Sequence, residues 1–250
     1  MIAAIETRDL RKSFGGIRAT DGVNFTLEPG ARHALIGPNG AGKTTLVNLL
    51  TGILQPTAGV IRLHGQDITT LPTHRRVKAG LARTFQINQL VPEFTPLDTV
   101  MLAIAERRGR TANWWRPVAA QIDLAEEASM LLARCGLAAV ARQPVSSLAY
   151  GQQRMLEIAV ALAAGPKVLL LDEPAAGVAE AEREEILNLI EGLPAEVTLL
   201  LIDHDMDLVF RFARTVSVMV DGAIFVEGAA ATVASDPRVR QVYLGEERDG

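Results

Sequence analysis

The sequence predicts an α/β fold whose parallel sheet is buried on both faces. Short apolar runs, Ala34-Leu35-Ile36, Val168 to Leu171, Val197 to Ile202 and Val216 to Val220, alternate with helical stretches, as strands covered by crossover helices do. A glycine-rich loop joins the first of these runs to a helical one, and an Ala-rich helical stretch from about Leu97 to Ala164 separates it from the second.

In chain order, residues from about Met1 to Gly30 and from Gly59 to Ile68 carry Gly, Asp and Pro turns between short alternating stretches, which predicts an antiparallel sheet beside the parallel one. After Gly42, Leu46, Leu49, Leu50 and Ile53 fall at helical spacing, and Gly52 with the Gln55-Pro56-Thr57-Ala58-Gly59 cluster supplies a stop. From Arg107 to Pro117 a loop with four arginines, Trp114 and Trp115 interrupts the helical stretch; it reads as a solvated connection or as one that approaches lipid headgroups. Met155, Leu156, Ala159, Val160 and Ala163 form one apolar helical stripe, and Ile186, Leu187, Leu189, Ile190 and Leu193 another; both read as core. The expected division is a core with its β subdomain at 1–86 and 165–250, and an inserted helical subdomain at 87–164.

The chain has 250 residues, long enough to bury a core without disulfide or metal staples. Lys plus Arg is 25 against Asp plus Glu at 29, a net charge of −4, so no basic excess points to a nucleic-acid partner. The apolar stretch Ile158 to Gly165 falls far short of the roughly 20 residues that span a bilayer. Glu6, Arg8 and Asp9 interrupt the N-terminus where a secretory signal is apolar, so a cytoplasmic location is expected. The single cysteine, Cys135, and histidines at 33, 64, 74 and 204 form no metal-ligand spacing.

The strongest chemical signal is Gly37-Pro38-Asn39-Gly40-Ala41-Gly42-Lys43-Thr44, followed by Thr45. It satisfies G-x-x-x-x-G-K-[ST] between a predicted strand and a predicted helix. Residues with little side chain let consecutive amides turn inward around a phosphate, and the helix N-terminus adds partial positive charge. Lys43 suits the β- and γ-phosphates, and the Thr44 hydroxyl suits Mg²⁺. No Asn is followed by Lys, so the guanine-reading Asn-Lys-x-Asp is absent, and Gly37, Gly40 and Gly42 do not fit G-x-G-x-x-G. The run Val168 to Leu171 ends in Asp172 and Glu173, at the sheet edge where ligands bind. Asp172 suits a Mg²⁺ shell, and Glu173 suits accepting a proton from, or orienting, an attacking water.

Together with three further motifs, these resemble the ATP-binding cassette (ABC) ATPases over nearly the full chain. Thr84-Phe85-Gln86 resembles the Q-loop, Leu148-Ala149-Tyr150-Gly151-Gln152 the signature motif, and Ile202-Asp203-His204-Asp205 the switch-histidine region. The resemblance implies a phosphate-loop NTPase core that hydrolyses ATP with Mg²⁺. His204 is then expected on the γ-phosphate, Gln86 on Mg²⁺ or water, and Ala149, Tyr150, Gly151 and Gln152 on the ATP of a second ABC ATPase subunit, closed head to tail on the first. Phe14 occupies the place of the adenine-stacking aromatic; stacking and core packing both remain open for its ring. Because no segment of the chain reads as membrane-spanning, the resemblance also implies separate transmembrane permease subunits.

Two positions depart from the family pattern. Leu-Ser-Gly-Gly-Gln is replaced by a sequence with Ala149 for the Ser and Tyr150 for the first Gly, which removes a hydroxyl donor. Ala176-Gly177-Val178-Ala179 lacks the Asp usual in the family just past Glu173, after the second Walker motif, here Val168 to Glu173. Leu-Ala-Tyr-Gly-Gln, Pro174-Ala175-Ala176-Gly177, His204-Asp205-Met206-Asp207 and the tail Val242-Tyr243-Leu244-Gly245-Glu246 resemble the ATPases of branched-chain amino-acid importers. Lipopolysaccharide-transport ATPases share a similar tail, so lipid extraction is the alternative within transport, and a soluble ABC ATPase is the alternative outside it.

Overall fold

The computed structural model describes residues 2–84, 90–110 and 122–246, with no account of the side chains at 181 and 242–246. Gln86 and the Trp114-Trp115 pair lie outside the described residues. The chain packs as two units, Met1–Leu81 with Lys167–Glu173 and Ala195–Gly250, and Ala82–Pro166 with Pro174–Pro194. Residues 174–194, expected with the core, thus fold with the helical unit.

The first unit holds both predicted sheets. β1 (Ile5–Phe14) pairs antiparallel with β2 (Ile17–Leu27) and β4 (Ala58–Leu63), and β5 (Gln66–Asp67) closes the order β2-β1-β4-β5. In the second sheet β3 (Arg32–Ile36) lies parallel between β8 (Thr198–Ile202) and β9 (Thr215–Val220), with β7 (Val168–Asp172) parallel to β8 and β10 (Ala223–Ala229) antiparallel on β9. The short β6 (Leu81–Arg83), where the chain leaves this unit, completes the order β10-β9-β3-β8-β7-β6. Every residue of β7 and β8 is buried, which accounts for the unbroken apolar runs.

Helix α1 (Lys43–Thr51) starts from the glycine loop and ends at Gly52, whose φ of 79° makes a left-handed cap. Its C-terminal carbonyls meet an unexpected partner. Arg76, on α2 (Thr73–Lys78), is fully buried and donates to the carbonyls of Leu49 (2.6 Å), Leu50 (2.8 Å), Leu71 (2.8 Å) and Thr69 (2.9 Å). A cation at a helix C-terminus is favoured by the dipole, and four carbonyls replace the water that burial removes. Burial nevertheless lowers the Arg76 pKa to about 10, against the opposing pull of Asp67.

In the second unit α3 (Pro96–Arg107) begins in a capping box, with Thr95 and Asp98 satisfying each other's amides. It packs against α4 (Ile122–Arg134) and α5 (Tyr150–Ala163). Arg107 and Arg108 pair with Glu127, and Arg108 and Arg110 with Asp123 at 2.5 and 2.7 Å. Three of the four arginines in the predicted basic loop therefore join α3 to α4. Helix α6 (Glu180–Glu191) buries Ile186, Leu187 and Ile190 and packs against α5.

Behind the parallel sheet, His33 is buried with its Nε2 2.8 Å from Ser217 Oγ, and that hydroxyl donates to Glu227 at 2.5 Å. A hydroxyl that gives its proton to a carboxylate is left to accept from His33, which assigns the Nε2–H tautomer. Burial lowers the His33 pKa from 6.5 to about 4. Between those values the unfolded chain binds a proton that the folded chain refuses, so stability falls as pH drops through that window, by roughly 3 kcal/mol in all. Urea midpoints measured at pH 7 and pH 4.5 should show this loss in the wild type, and the difference should shrink in His33→Gln; an identical pH dependence in both proteins counts against it.

Candidate functional site

Three segments leave the carboxyl edge of the parallel sheet side by side. The glycine loop follows β3, His204 follows β8, and Glu173 follows β7, in the lateral order β3-β8-β7. Register keeps them level, because Leu35 and Asp172 both pair with Ile202. With about 4.8 Å between neighbouring strands, the loop and Glu173 sit two strand spacings apart with His204 between them.

The loop's path depends on missing side chains. Gly37 and Gly42 have φ of 149° and 98°. A Cβ at Gly37 would lie 2.1 Å from the Met219 carbonyl oxygen, and one at Gly42 2.3 Å from that of Ala19. Gly222 N–H donates to Ala41 at 3.0 Å and Asp21 N–H to Gly222 at 2.9 Å, which ties the loop to the β9–β10 turn and to β2. Lys43 Nζ donates to the carbonyls of Gly37 (2.5 Å) and Pro38 (2.8 Å), so its ammonium already lies over the loop it closes. Thr44 and Thr45 occupy the first turn of α1.

Asp172 is buried at the end of β7. Glu173 follows with φ of 46°, a left-handed backbone in a non-glycine residue, and its N–H donates to Ile202 at 2.8 Å. Such a conformation costs of order 1 kcal/mol or more and persists where surroundings over-determine it. The turn brings Glu173 Oε1 within 3.3 Å of His204 Nδ1, with side-chain exposures of 27% and 69%. Asp203, which the sequence reading gave no role, fixes the backbone beneath that histidine: its Oδ1 accepts from the amides of His204 (2.8 Å) and Asp205 (3.0 Å). Burial raises the Asp203 carboxyl while those two amides pull it back. Asp205 in turn caps α7 (Met206–Phe212) by accepting from Asp207 and Leu208. Phe14 is 48% exposed at the end of β1, with Lys12 Nζ 5.1 Å from its ring centre, so the core-packing alternative for this ring does not hold.

The signature residues lie in the second unit. Ala149 stands at the N-cap of α5 with no side-chain acceptor, and its own N–H donates to Gln152 Oε1 at 3.1 Å. Tyr150 is exposed, its hydroxyl accepting from Arg154 Nε at 3.1 Å. Gly151 is buried beneath Glu182: a Cβ there would lie 2.4 Å from Glu182 Oε2. Gln86 lies outside the described residues. Among the described residues no three His, Cys, Asp or Glu side chains gather into a metal nest, and the hard oxygens at the loop and the β7 edge, Thr44 and Asp172, are of the type that Mg²⁺ accepts beside phosphate.

Comparison with known proteins matches this arrangement at three levels. The ABC transporter family profile matches residues 20–176, and one described as branched-chain amino acid ATP-binding cassette transporter matches residues 224–249. The chain is 39% identical to the high-affinity branched-chain amino acid transport ATP-binding protein BraF of Pseudomonas aeruginosa over 97% of this chain and 98% of that one. It is 37% identical to LivG of Escherichia coli, with the same coverages. The solved structure of MJ1267, an ATP-binding cassette of an ABC transporter in its ADP conformation, superposes with a TM-score of 0.83 at 30% identity over 98% of this chain and 100% of that one.

The loop geometry sets an expected pair of outcomes. Gly40 has φ of 78° and open space around it, whereas Gly42 combines its positive φ with a carbonyl at 2.3 Å. Gly40→Ala should cost about 1 kcal/mol from backbone strain alone, and Gly42→Ala about 3 kcal/mol or more. Urea denaturation of the two variants measures the difference, and equal losses would remove the clash from the account.

Proposed function

We propose a transport role from one premise: the chain belongs to the ABC transporter family of ATP-binding cassettes. It is an ATPase. The proposal is that hydrolysis here energises import of branched-chain or other hydrophobic amino acids, through permease subunits at the cytoplasmic face of a membrane. The relatives support that substrate class over lipid extraction or a soluble role, since two are branched-chain amino acid transport proteins along nearly their whole length.

The observation that carries the site reading is the Glu173–His204 contact at 3.3 Å, on the two strands that follow that of the glycine loop across the sheet. In this reading the backbone N–H groups between Gly37 and Thr45, Pro38 having none, wrap the triphosphate, and Lys43 moves from its loop carbonyls to the β- and γ-oxygens. Phe14 stacks on adenine. Thr44, Asp172 and Gln86 would hold Mg²⁺, which when bound neutralises charge on the phosphate oxygens. Glu173 takes the proton of the attacking water as its oxygen bonds to the γ-phosphorus and the bond to ADP breaks. His204, facing solvent beside it, donates to a γ-oxygen and fixes the water's line of approach. Ala149, Tyr150, Gly151 and Gln152 contribute the N-terminus of α5 to the nucleotide of a second cassette.

No helix among the described residues is long and apolar enough to cross a membrane, and the partner's docking place is read from the second unit. A groove of about 350 Å³ is lined there by Leu90, Val91, Phe94, Leu102, Ala103 and Val160, among others. Val91, Phe94 and Leu102 are 43%, 39% and 54% exposed, an apolar concavity of the kind a helical segment fills. We assign it to the permease.

Glu173→Gln should bind ATP with near wild-type affinity, lose at least about 100-fold in turnover, and accumulate a dimer on MgATP. Phosphate release and size-exclusion chromatography read the two effects, and wild-type turnover would take Glu173 out of the base role.

A further inference from the structure

The docking groove, apolar over most of its wall, also takes Arg83, Thr84, Thr99, Glu106 and Glu157 into its lining, and the last of these stands out. Glu157 is 8% exposed at its side chain and lines the groove. Its Oε2 pairs with Arg154 at 2.9 Å, but its buried Oε1 has no hydrogen-bond partner among the described residues. A buried acceptor left unpaired carries an uncompensated desolvation cost and calls for a partner. The sequence also keeps a buried ion pair where apolar residues of like volume are often at least as stable, so stability alone does not account for it.

The pair belongs to a longer row. Tyr150, Arg154, Glu157 and Ala161 recur at spacings of four, three and four on α5, which places them on one stripe of the helix. Ala161 and Glu157 line the groove. Arg154 lies 5.2 Å from the centre of the Tyr150 ring and donates to its hydroxyl at 3.1 Å. At the far end, a Cβ on Gly177 would lie 3.4 Å from Tyr150 Cε1. Contacts thus run from the groove to the start of α5, where the Tyr150 ring lies beside the loop after the second Walker motif. Tyrosine at 150, a departure from the family's glycine, is what gives Arg154 a partner at that end.

We propose that Glu157 is the polar determinant of docking: its Oε1 accepts a hydrogen bond from a donor side chain on the otherwise apolar permease helix that fills the groove, and the Arg154–Glu157 pair transmits that contact to Tyr150. The proposal rests on the docking reading above. Glu157 and Arg154 are positioning residues, acting on the nucleotide site only through Tyr150.

The test co-expresses the chain with the permease subunits that co-purify with its tagged form from its own cells, and reads permease capture and the ratio of stimulated to basal ATPase activity. Leu102→Glu checks the groove itself. Arg154→Met with Glu157→Met removes the pair without stranding a buried charge, and melting temperature reports its folding. Tyr150→Phe removes only the hydroxyl. Expected are loss of capture in Leu102→Glu, capture weakened about tenfold with stimulation lost in the double variant at an undiminished melting temperature, and normal capture with stimulation reduced several-fold in Tyr150→Phe. Normal capture of Leu102→Glu overturns the docking reading and this inference with it. Defective Leu102→Glu beside a double variant that is captured and stimulated like wild type overturns the inference alone. If the double variant melts early, Tyr150→Phe decides: wild-type stimulation there overturns the relay, and a reduced ratio supports it.

Discussion

The glycine loop can exist only because the backbone around it leaves no room for side chains. Carbonyl oxygens from Met219 and Ala19 approach Gly37 and Gly42 from β9 and β2, closer than any Cβ tolerates. The turn between β9 and β10 adds, through Gly222, the hydrogen bonds that hold Ala41 and Asp21. The loop is therefore clamped from outside by elements far away in sequence, and its path is set by the fold itself. Preorganisation of this kind spares binding the cost of ordering a flexible segment. It also explains why the two sheets matter to the site: β2 belongs to the antiparallel one and β9 to the parallel one, and the loop bridges them.

Arg76 completes that clamp at the other end of α1. The helix begins at the loop, and ends where the Leu49 and Leu50 carbonyls meet one guanidinium that also holds those of Thr69 and Leu71. Fixing both ends fixes the direction of the dipole and hence the potential at Thr44. Gly52 cooperates, since a side chain there would collide with the Arg76 guanidinium at 2.7 Å and with the Leu71 carbonyl at 2.9 Å. The strain at Glu173 has a similar logic. Hydrogen bonding of its N–H to Ile202 continues the ladder one residue past β7, and the positive φ then swings the side chain toward His204 instead of leaving it stacked along the strand.

Much of this was legible because it is local. Strands buried on both faces show as unbroken runs, and the phosphate loop carries its own spacing, so β3, β7, β8, β9 and α1 and the residues from Gly37 to Thr45 could be read directly. Other features depend on contacts between distant residues and left no local signal. Arg76 looks like any surface cation in Thr-His-Arg-Arg-Val-Lys, and nothing in Gln-Arg-Met-Leu-Glu marks Arg154 and Glu157 as buried. The arginines at 107, 108 and 110 read as a basic patch because their acids, Asp123 and Glu127, lie beyond the loop. Residues 174–194 sit next to a core strand in sequence but bury their apolar face with the helical unit. For Phe14, only its exposure could exclude a core ring.

The two departures in the motifs have a common physical character. Ala149 and Ala179 each remove a polar side chain and leave the backbone where it was: both are N-caps, with extended ψ of 155° and 148°, at the starts of α5 and α6. Helix N-termini bind anions chiefly through amides and the dipole, and neither depends on the capping side chain. At 149 the reciprocal half of a capping box remains, Gln152 turning back to accept from the Ala149 amide without the usual serine. Anion binding of this kind requires backbone placement, and the buried side chains of α5, Leu156, Ile158 and Ala159 among them, hold that helix in its unit.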